Sequence, residues 1–275
     1  MNDANHSNAR SASIRSAPEG VASCGIAIMA KASAPGRTKT RLVPPLTFDQ
    51  AAALNTAFLQ DIADNLLLAG GHSAIAGYAA FAPRGSQDFF NRILPPAIGL
   101  IDACLPNFGD CLLHTIERLL AHGHPSAVVL NSDSPTLPTA FLVEAADALA
   151  RPGERAVLGP SSDGGYYLLG IKTAHHRLFE DIAWSTERVA EQTRERAHEI
   201  KLDVHTLPVW YDVDDVEGLR RLHSDVHRPY AAKRRLDRSE PNFPAATAAL
   251  IDRLWADGEF ERHRADVMQL AAGGA

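Results

Sequence analysis

Four cations, Lys31, Arg37, Lys39 and Arg41, fall within the stretch KASAPGRTKTRL at residues 31–42. Pro35-Gly36 turns the backbone between the first cation and the others. Gly36 allows main chain to approach a ligand closely, arginine offers forked donors and lysine a mobile point charge, so the stretch can wrap a phosphate. The simpler alternative is a solvated basic turn. It is not a P-loop, because no glycine stands five residues before Gly36 and two residues separate Gly36 from Lys39.

Acidic residues recur in three later turns. Asp133, in NSDSP, directly follows the apolar run Ala127 to Leu130. A carboxylate there can coordinate Mg²⁺ or Mn²⁺ bridging a substrate's phosphates, and its plainer role is a turn or helix cap. In Asp163-Gly164-Gly165-Tyr166 the glycines permit a tight turn or a close approach to a sugar or base. Asp163 can accept hydrogen bonds from hydroxyls, and Tyr166 offers a stacking face. Asp212, Asp214 and Asp215 follow Trp210-Tyr211. They either cap the next helix or, being close together, call for a nearby cation or the basic loop.

Other chemistries lack their signatures. There is no GxSxG, HExxH or GxGxxG, which argues against hydrolase, zinc-protease and Rossmann dinucleotide readings. Cys24, Cys104 and Cys111 are odd in number and form no CxxC pair, so neither a disulfide framework nor a zinc site is expected. His175-His176 and His122 with His124 read as surface histidines. The formal charge is −6 with a pI near 6.0, against general nucleic-acid binding. No apolar run approaches the roughly 18 residues of a membrane span. A cytoplasmic protein without a membrane span is expected.

The segments need a scaffold that brings them together. Cys24 to Ala30 reads as a buried strand, and Thr47 with Gln50 signals a capping box for a helix buried through Leu54, Phe58, Ile62 and Leu66 until Gly70-Gly71. Strands follow at Ser73 to Phe81, Ala97 to Leu105, Ala127 to Leu130, Arg155 to Gly159 and Tyr166 to Ile171, and Val204 to Trp210 is a further apolar stretch. Helices are expected at Ser86 to Leu94, from Asn107 to Gly123, after a Thr139 cap, and from about Thr186 to Ile200. This alternation predicts an α/β, three-layer αβα domain with a mostly parallel mixed sheet. In such sheets ligands lie beyond the carboxyl ends of strands, where all these polar segments begin.

Residues 1–20 read as a disordered lead-in without the apolar core of a secretory signal, and residues 21–227 as the catalytic domain. Residues 228–275 read as a linker and helical extension that either packs back on the domain or makes a homodimer contact.

Taken in order, KASAPGRTKTRL, the helix carrying Asp61, GDCLL, NSDSPTLP, LGPSSDGGYYLLG, LFEDIAWST and WYDVDD resemble a bacterial family of nucleotide-diphospho-sugar transferases. The family, of DUF2064 type, has the glycosyltransferase-A (GT-A) fold and is also described as arsenosugar-biosynthesis-associated glycosyltransferases. The resemblance covers about Gly25 to Leu222. It departs at Ser33, where relatives carry proline, and at Gly109 to His114, where they carry a GDLGER-like run. The family is similar in turn to phospholactate guanylyltransferase and molybdenum-cofactor nucleotidyltransferases.

The resemblance implies a transferase in which Lys31, Arg37, Lys39 and Arg41 face nucleotide phosphates. It implies a divalent ion on Asp133, Asp163 to Tyr166 near the sugar or acceptor, and Asp212 or Asp214 completing the metal or acceptor side. Asp163 and Asp214 are the candidates for general base. The expected reaction is metal-dependent transfer of a sugar from a nucleotide-diphosphate sugar to a small-molecule acceptor. The alternatives are nucleotidyl transfer from a nucleoside triphosphate with release of pyrophosphate, and nucleotide-sugar binding without turnover.

Overall fold

Apolar runs that end at glycine or proline punctuation become the strands of a single sheet. The computed structural model describes residues 23–227 and 242–256. In chain order it contains β1 (Cys24–Lys31), α1 (Phe48–Gly70), β2 (Ile75–Ala82), α2 (Gln87–Ile93), β3 (Gly99–Asp102), α3 (Phe108–Ala121) and β4 (Ser126–Leu130). These are followed by α4 (Thr139–Ala150), β5 (Arg155–Pro160), β6 (Tyr166–Ile171), α5 (Val189–Glu199), β7 (Asp203–Thr206), α6 (Val216–His227) and α7 (Ala245–Ala256). The expected lead-in at 1–20, linker residues 228–241 and the end of the terminal helical stretch, 257–270, lie outside the described residues.

The seven-stranded sheet has the order β3-β2-β1-β4-β6-β5-β7. β1 runs parallel to β2 and β4, with Cys24 opposite Ile75 and Ser126. β2 is parallel to β3 and β5 to β7, while β6 is antiparallel to both its neighbours. The consequence for function is positional. The carboxyl ends of β1, β4, β5 and β7 point to one edge, and the reversed β6 begins at that same edge.

Two apolar cores sandwich the sheet. One joins α1 and α4 to it through Ile26, Ile28, Leu66, Leu142 and Tyr167, and the other joins α3 and α5 through Ala27, Val129, Ile116 and Ala190. A third core lies outside the sheet and gathers Leu42, Leu46, Phe58, Tyr211, Val213, Leu219 and Ile251. It packs the end of the basic loop against the start of α1, the segment after β7, α6 and α7.

Local chemistry sets the helix ends, with two departures from expectation. At α1 the capping box is complete, with Thr47 Oγ1 accepting from the Gln50 N–H at 3.2 Å and Gln50 Oε1 accepting from the Thr47 N–H at 2.8 Å. Thr139 does not cap α4: it is the first helical residue, after Pro138, and its hydroxyl donates to Asn65 Oδ1 at 2.6 Å. Helix α5 starts at Val189 rather than near Thr186, because Thr186 spends its hydroxyl on a turn, donating to Ala183 O and accepting from the Arg188 N–H.

Helix α7 packs back onto α1. Its amino end is held by Asp61, whose two carboxylate oxygens accept from the Ala246 and Thr247 N–H groups, each at 2.8 Å. Asp61 thus caps a helix distant in sequence, satisfying donors that α7 itself cannot. Among the described residues no helix is long and apolar enough to cross a membrane.

Candidate functional site

The polar segments meet at the sheet edge in a cleft of about 670 Å³. Lys31, Arg37, Lys39, Arg41, Asp133, Asp163, Gly165, Tyr166 and Asp214 all line it. Gly36, with φ of +71°, makes the turn that lets the basic loop double back. Asn55 fastens the loop's base, donating to Lys31 O at 3.1 Å and to Ser33 Oγ at 2.8 Å.

The four cations of the loop separate into two kinds. Lys31, Arg37 and Arg41 are exposed and make no ion pair with a described residue. Lys39 instead turns inward, its side chain only 5% exposed, and its ammonium lies 2.6 Å from Asp133 Oδ1, 3.0 Å from Asp214 Oδ1 and 2.7 Å from Val213 O. Burial alone would lower its pKa, but the charges of Asp133 and then Asp214 outweigh that and raise it. Lys39 was expected among the phosphate-facing cations. Here it faces carboxylates, because all three ammonium hydrogens find oxygens there.

The acidic side is braced by main chain. Val213 N–H donates to Asp133 O at 2.9 Å, and Ser162 N–H donates to Trp210 O at 2.9 Å, locking the turns after β4, β5 and β7 together. Thr136, in the NSDSPT turn, donates its hydroxyl to Tyr211 Oη, which in turn donates to Asp225 on α6. Asp212 feels the convergence most. Burial, then the neighbouring charges of Asp163, Asp214 and Asp133, push its carboxyl up to about 6.

The expected ligand set Asp133, Asp212 and Asp214 is not arranged around a common metal position. No group of three or more His, Cys, Asp or Glu among the described residues is so arranged. The reason is visible in the ion pairs: Asp133 and Asp214 close on Lys39. The donor chemistry nevertheless fits a hard divalent cation. Asp133, Asp163, Asp212 and Asp214 supply only oxygen, and four carboxylates gather around the one ammonium of Lys39, with burial first and the neighbouring carboxylates second raising the Asp212 carboxyl.

One further expectation is corrected. Gly164, at φ of +90°, does not open space for a ligand: a Cβ there would lie 2.0 Å from Glu187 O, and Gly164 O accepts from the Ala190 N–H at 3.0 Å. The glycine serves close packing of the turn on the start of α5. Tyr166 is half-buried and lines the cleft. Its ring packs partly into the core beneath α3 and α5, and its buried hydroxyl, which has no hydrogen-bond partner among the described residues, is pushed well above the ordinary phenol value by burial. Asp163 Oδ1 accepts from the Gly165 N–H at 2.9 Å, and Asp215 caps α6 by accepting from the Gly218 N–H at 2.8 Å.

Other cleft residues carried no clear signal in the sequence. Asn131, a cleft residue, donates through its amide to Ser134 Oγ, and its Oδ1 has no partner among the described residues. Phe108 and Trp184 form an edge-to-face pair along one wall, with centroids 5.4 Å apart. A Cβ at Gly109 would come within 2.9 Å of Trp184 Nε1, so the glycine of GDCLL makes room for the indole.

Sheet order, the single reversed strand and the polar edge define a three-layer α/β protein with the nucleotide-diphospho-sugar transferase fold. Residues 67–186 match a family model described as "Uncharacterized protein conserved in bacteria (DUF2064)", which bears out the resemblance read from the motifs. The crystal structure of a protein from Desulfovibrio desulfuricans G20, described as a candidate nucleotide-diphospho-sugar transferase, is similar with a TM-score of 0.73 and 25% identity. That likeness covers 88% of this chain and 98% of the other.

More distant is a cytidylyltransferase from Leptospira borgpetersenii serovar Hardjo-bovis, with TM-score 0.48 and 12% identity over 86% of this chain and 96% of that one. A mannosyltransferase from Pyrobaculum calidifontis in complex with GDP-Man and Mn²⁺ has TM-score 0.40 and 14% identity, over 94% of this chain and 78% of that one. Neither of these two bears on the chemistry here. None of the curated proteins matches the chain.

Proposed function

We propose that the protein is a transferase that moves a sugar from a nucleotide-diphosphate sugar to a small acceptor with the help of Mg²⁺ or Mn²⁺. The observation that carries this reading is the meeting, in one cleft, of three exposed cations that pair with no described residue, Lys31, Arg37 and Arg41, and the carboxylates of Asp133, Asp163 and Asp214, with Asp212 close enough to feel their charge. A diphosphate needs the first group. A hard cation that neutralises it would need the second.

In this scheme Lys31, Arg37 and Arg41 bind the diphosphate and orient the donor, each charged contact contributing about 1.5–3 kcal/mol. Asp133 and Asp214, joined by Asp212, would hold the divalent ion. When bound, the ion supplies electrostatic stabilisation of the leaving nucleoside diphosphate. Asp163 borders the cleft and would accept the proton of the acceptor hydroxyl. Residues 21–227 form the catalytic unit, and α7 braces it through Asp61 and the third core.

The likeness to the Desulfovibrio desulfuricans protein supports this assignment at the level of fold. Nucleotidyl transfer remains the second reading, because the same three cations suit a leaving pyrophosphate equally well. Incubation with nucleotide sugars and, separately, with nucleoside triphosphates, followed by mass spectrometry, separates the two. Free nucleoside diphosphate from a nucleotide sugar is the expected product. Pyrophosphate release with no reaction of any nucleotide sugar would replace this reading by the second.

A further inference from the structure

Lys39 stands apart from the rest of its loop. Its backbone is left-handed, with φ of 50°, which sends the side chain away from Lys31, Arg37 and Arg41 and toward the turns after β4 and β7. The Phe58 ring lies 5.3 Å from the ammonium and walls it on the protein side. An ammonium has three donors, and Asp133, Asp214 and Val213 O take all of them. No donor is left for a phosphate unless one of these bonds is given up.

The same two carboxylates are those the metal reading needs. A divalent ion and the Lys39 ammonium carry like charge and would claim the same oxygens, Oδ1 of Asp133 and Oδ1 of Asp214. The lysine stem is flexible and cleft-lining, so its charge can be relocated while its backbone stays fixed.

We propose that Lys39 is an internal counter-cation, which holds Asp133 and Asp214 together in the free protein and competes with a divalent ion for them until a diphosphate draws the ammonium across the cleft. The proposal rests on the metal and diphosphate reading above. Lys39 then has two partners in turn, the carboxylates without ligand and the phosphate with it. Metal and diphosphate consequently strengthen each other's binding, since each relieves the cost of moving Lys39. In this role Lys39 positions the carboxylates and suppresses metal capture by an enzyme that has no donor bound.

The test measures Mn²⁺ binding to the full-length protein by electron paramagnetic resonance of the free ion, with no phosphate present. Wild type is compared with Lys39→Met, Lys39→Gln and Asp133→Asn. Both Lys39 variants are expected to bind Mn²⁺ about tenfold or more tightly than wild type, and Asp133→Asn more weakly. Mn²⁺ should also raise the melting temperature of Lys39→Met more than that of wild type. If Lys39→Met does not fold, Lys39→Gln, whose amide can still bridge the carboxylates, carries the comparison. Unchanged or weaker Mn²⁺ binding in the Lys39 variants, with loss in Asp133→Asn, overturns this inference and leaves the metal reading standing. Wild-type affinity in Asp133→Asn overturns the metal reading and this inference with it.

Discussion

The Lys39 ammonium lies 2.6 Å from Asp133 Oδ1, which joins the loop after β1 to the turn after β4 by charge in the middle of the cleft. Replacing Asp133 by Asn leaves Lys39 with Asp214 as its one carboxylate. Because Lys39 is buried and Asp133 partly exposed, a loss of about 1–2 kcal/mol in stability is expected, less than for a fully buried pair. Turnover should fall at least about a hundredfold, since the same carboxylate is assigned to the divalent ion. Denaturant unfolding and product formation, measured on one preparation, check both.

The exposed cations should behave differently from Lys39. Arg37→Ala and Arg41→Ala remove side chains that pair with no described residue, so stability should change by less than about 0.5 kcal/mol. Affinity for a nucleoside diphosphate should drop about tenfold for each, and more steeply at low salt. Isothermal titration with nucleoside diphosphates measures it, and undiminished affinity in the double variant would remove the loop from the scheme.

Gly164→Ala tests the turn between β5 and β6. The new Cβ would meet Glu187 O at 2.0 Å in a backbone at φ of +90°, and both effects oppose the substitution. A loss of about 3 kcal/mol or more is expected, read from thermal or denaturant melts. Gly36→Ala meets no atom closer than 4.0 Å and suffers only the φ of +71°, so it should lose about 1–2 kcal/mol.

Asp212 gives the fold a pH dependence of definite sign. Its carboxyl titrates near 6 in the folded protein against an ordinary value of 3.8, so between these values the native state holds the extra proton. Its contribution is therefore favourable at low pH and is lost as pH rises through about 6. Asp212→Asn should be more stable than wild type above pH 6, by on the order of 1 kcal/mol after allowance for partial exposure, and this advantage should vanish near pH 4. Parallel melts at pH 4, 5.5 and 7.5 decide it, and an advantage of equal size at every pH would sink the assignment.

Asp61 links the C-terminal helix to the domain. Asp61→Ala deprives the Ala246 and Thr247 N–H groups of their acceptor and should cost about 1–2 kcal/mol. Hydrogen exchange should then speed up across Ala245–Ala256 before it does in β1 or β4. Uniform exchange throughout the chain would show that α7 is not the element released.

The sequence by itself determined the order of elements and the edge at which chemistry gathers. Hydrophobic period and punctuation located β1, β4 and β6 to within a residue or two, and the Thr47–Gln50 box located the start of α1, because these signals act between near neighbours in the chain. From there the parallel topology sufficed to place the basic loop beside Asp133. Only the tertiary structure decided which way side chains turn inside that edge. Lys39 is indistinguishable from Arg37 or Arg41 in sequence, yet a left-handed backbone and two carboxylates from the turn after β4 and the segment after β7 draw it inward. Gly164 reads as ligand space until Glu187 is found against it, and Asp61 reads as one more helix residue until α7 arrives at its carboxylate. Each of these depends on a partner brought close by folding, and spacing along the chain carries no record of that partner.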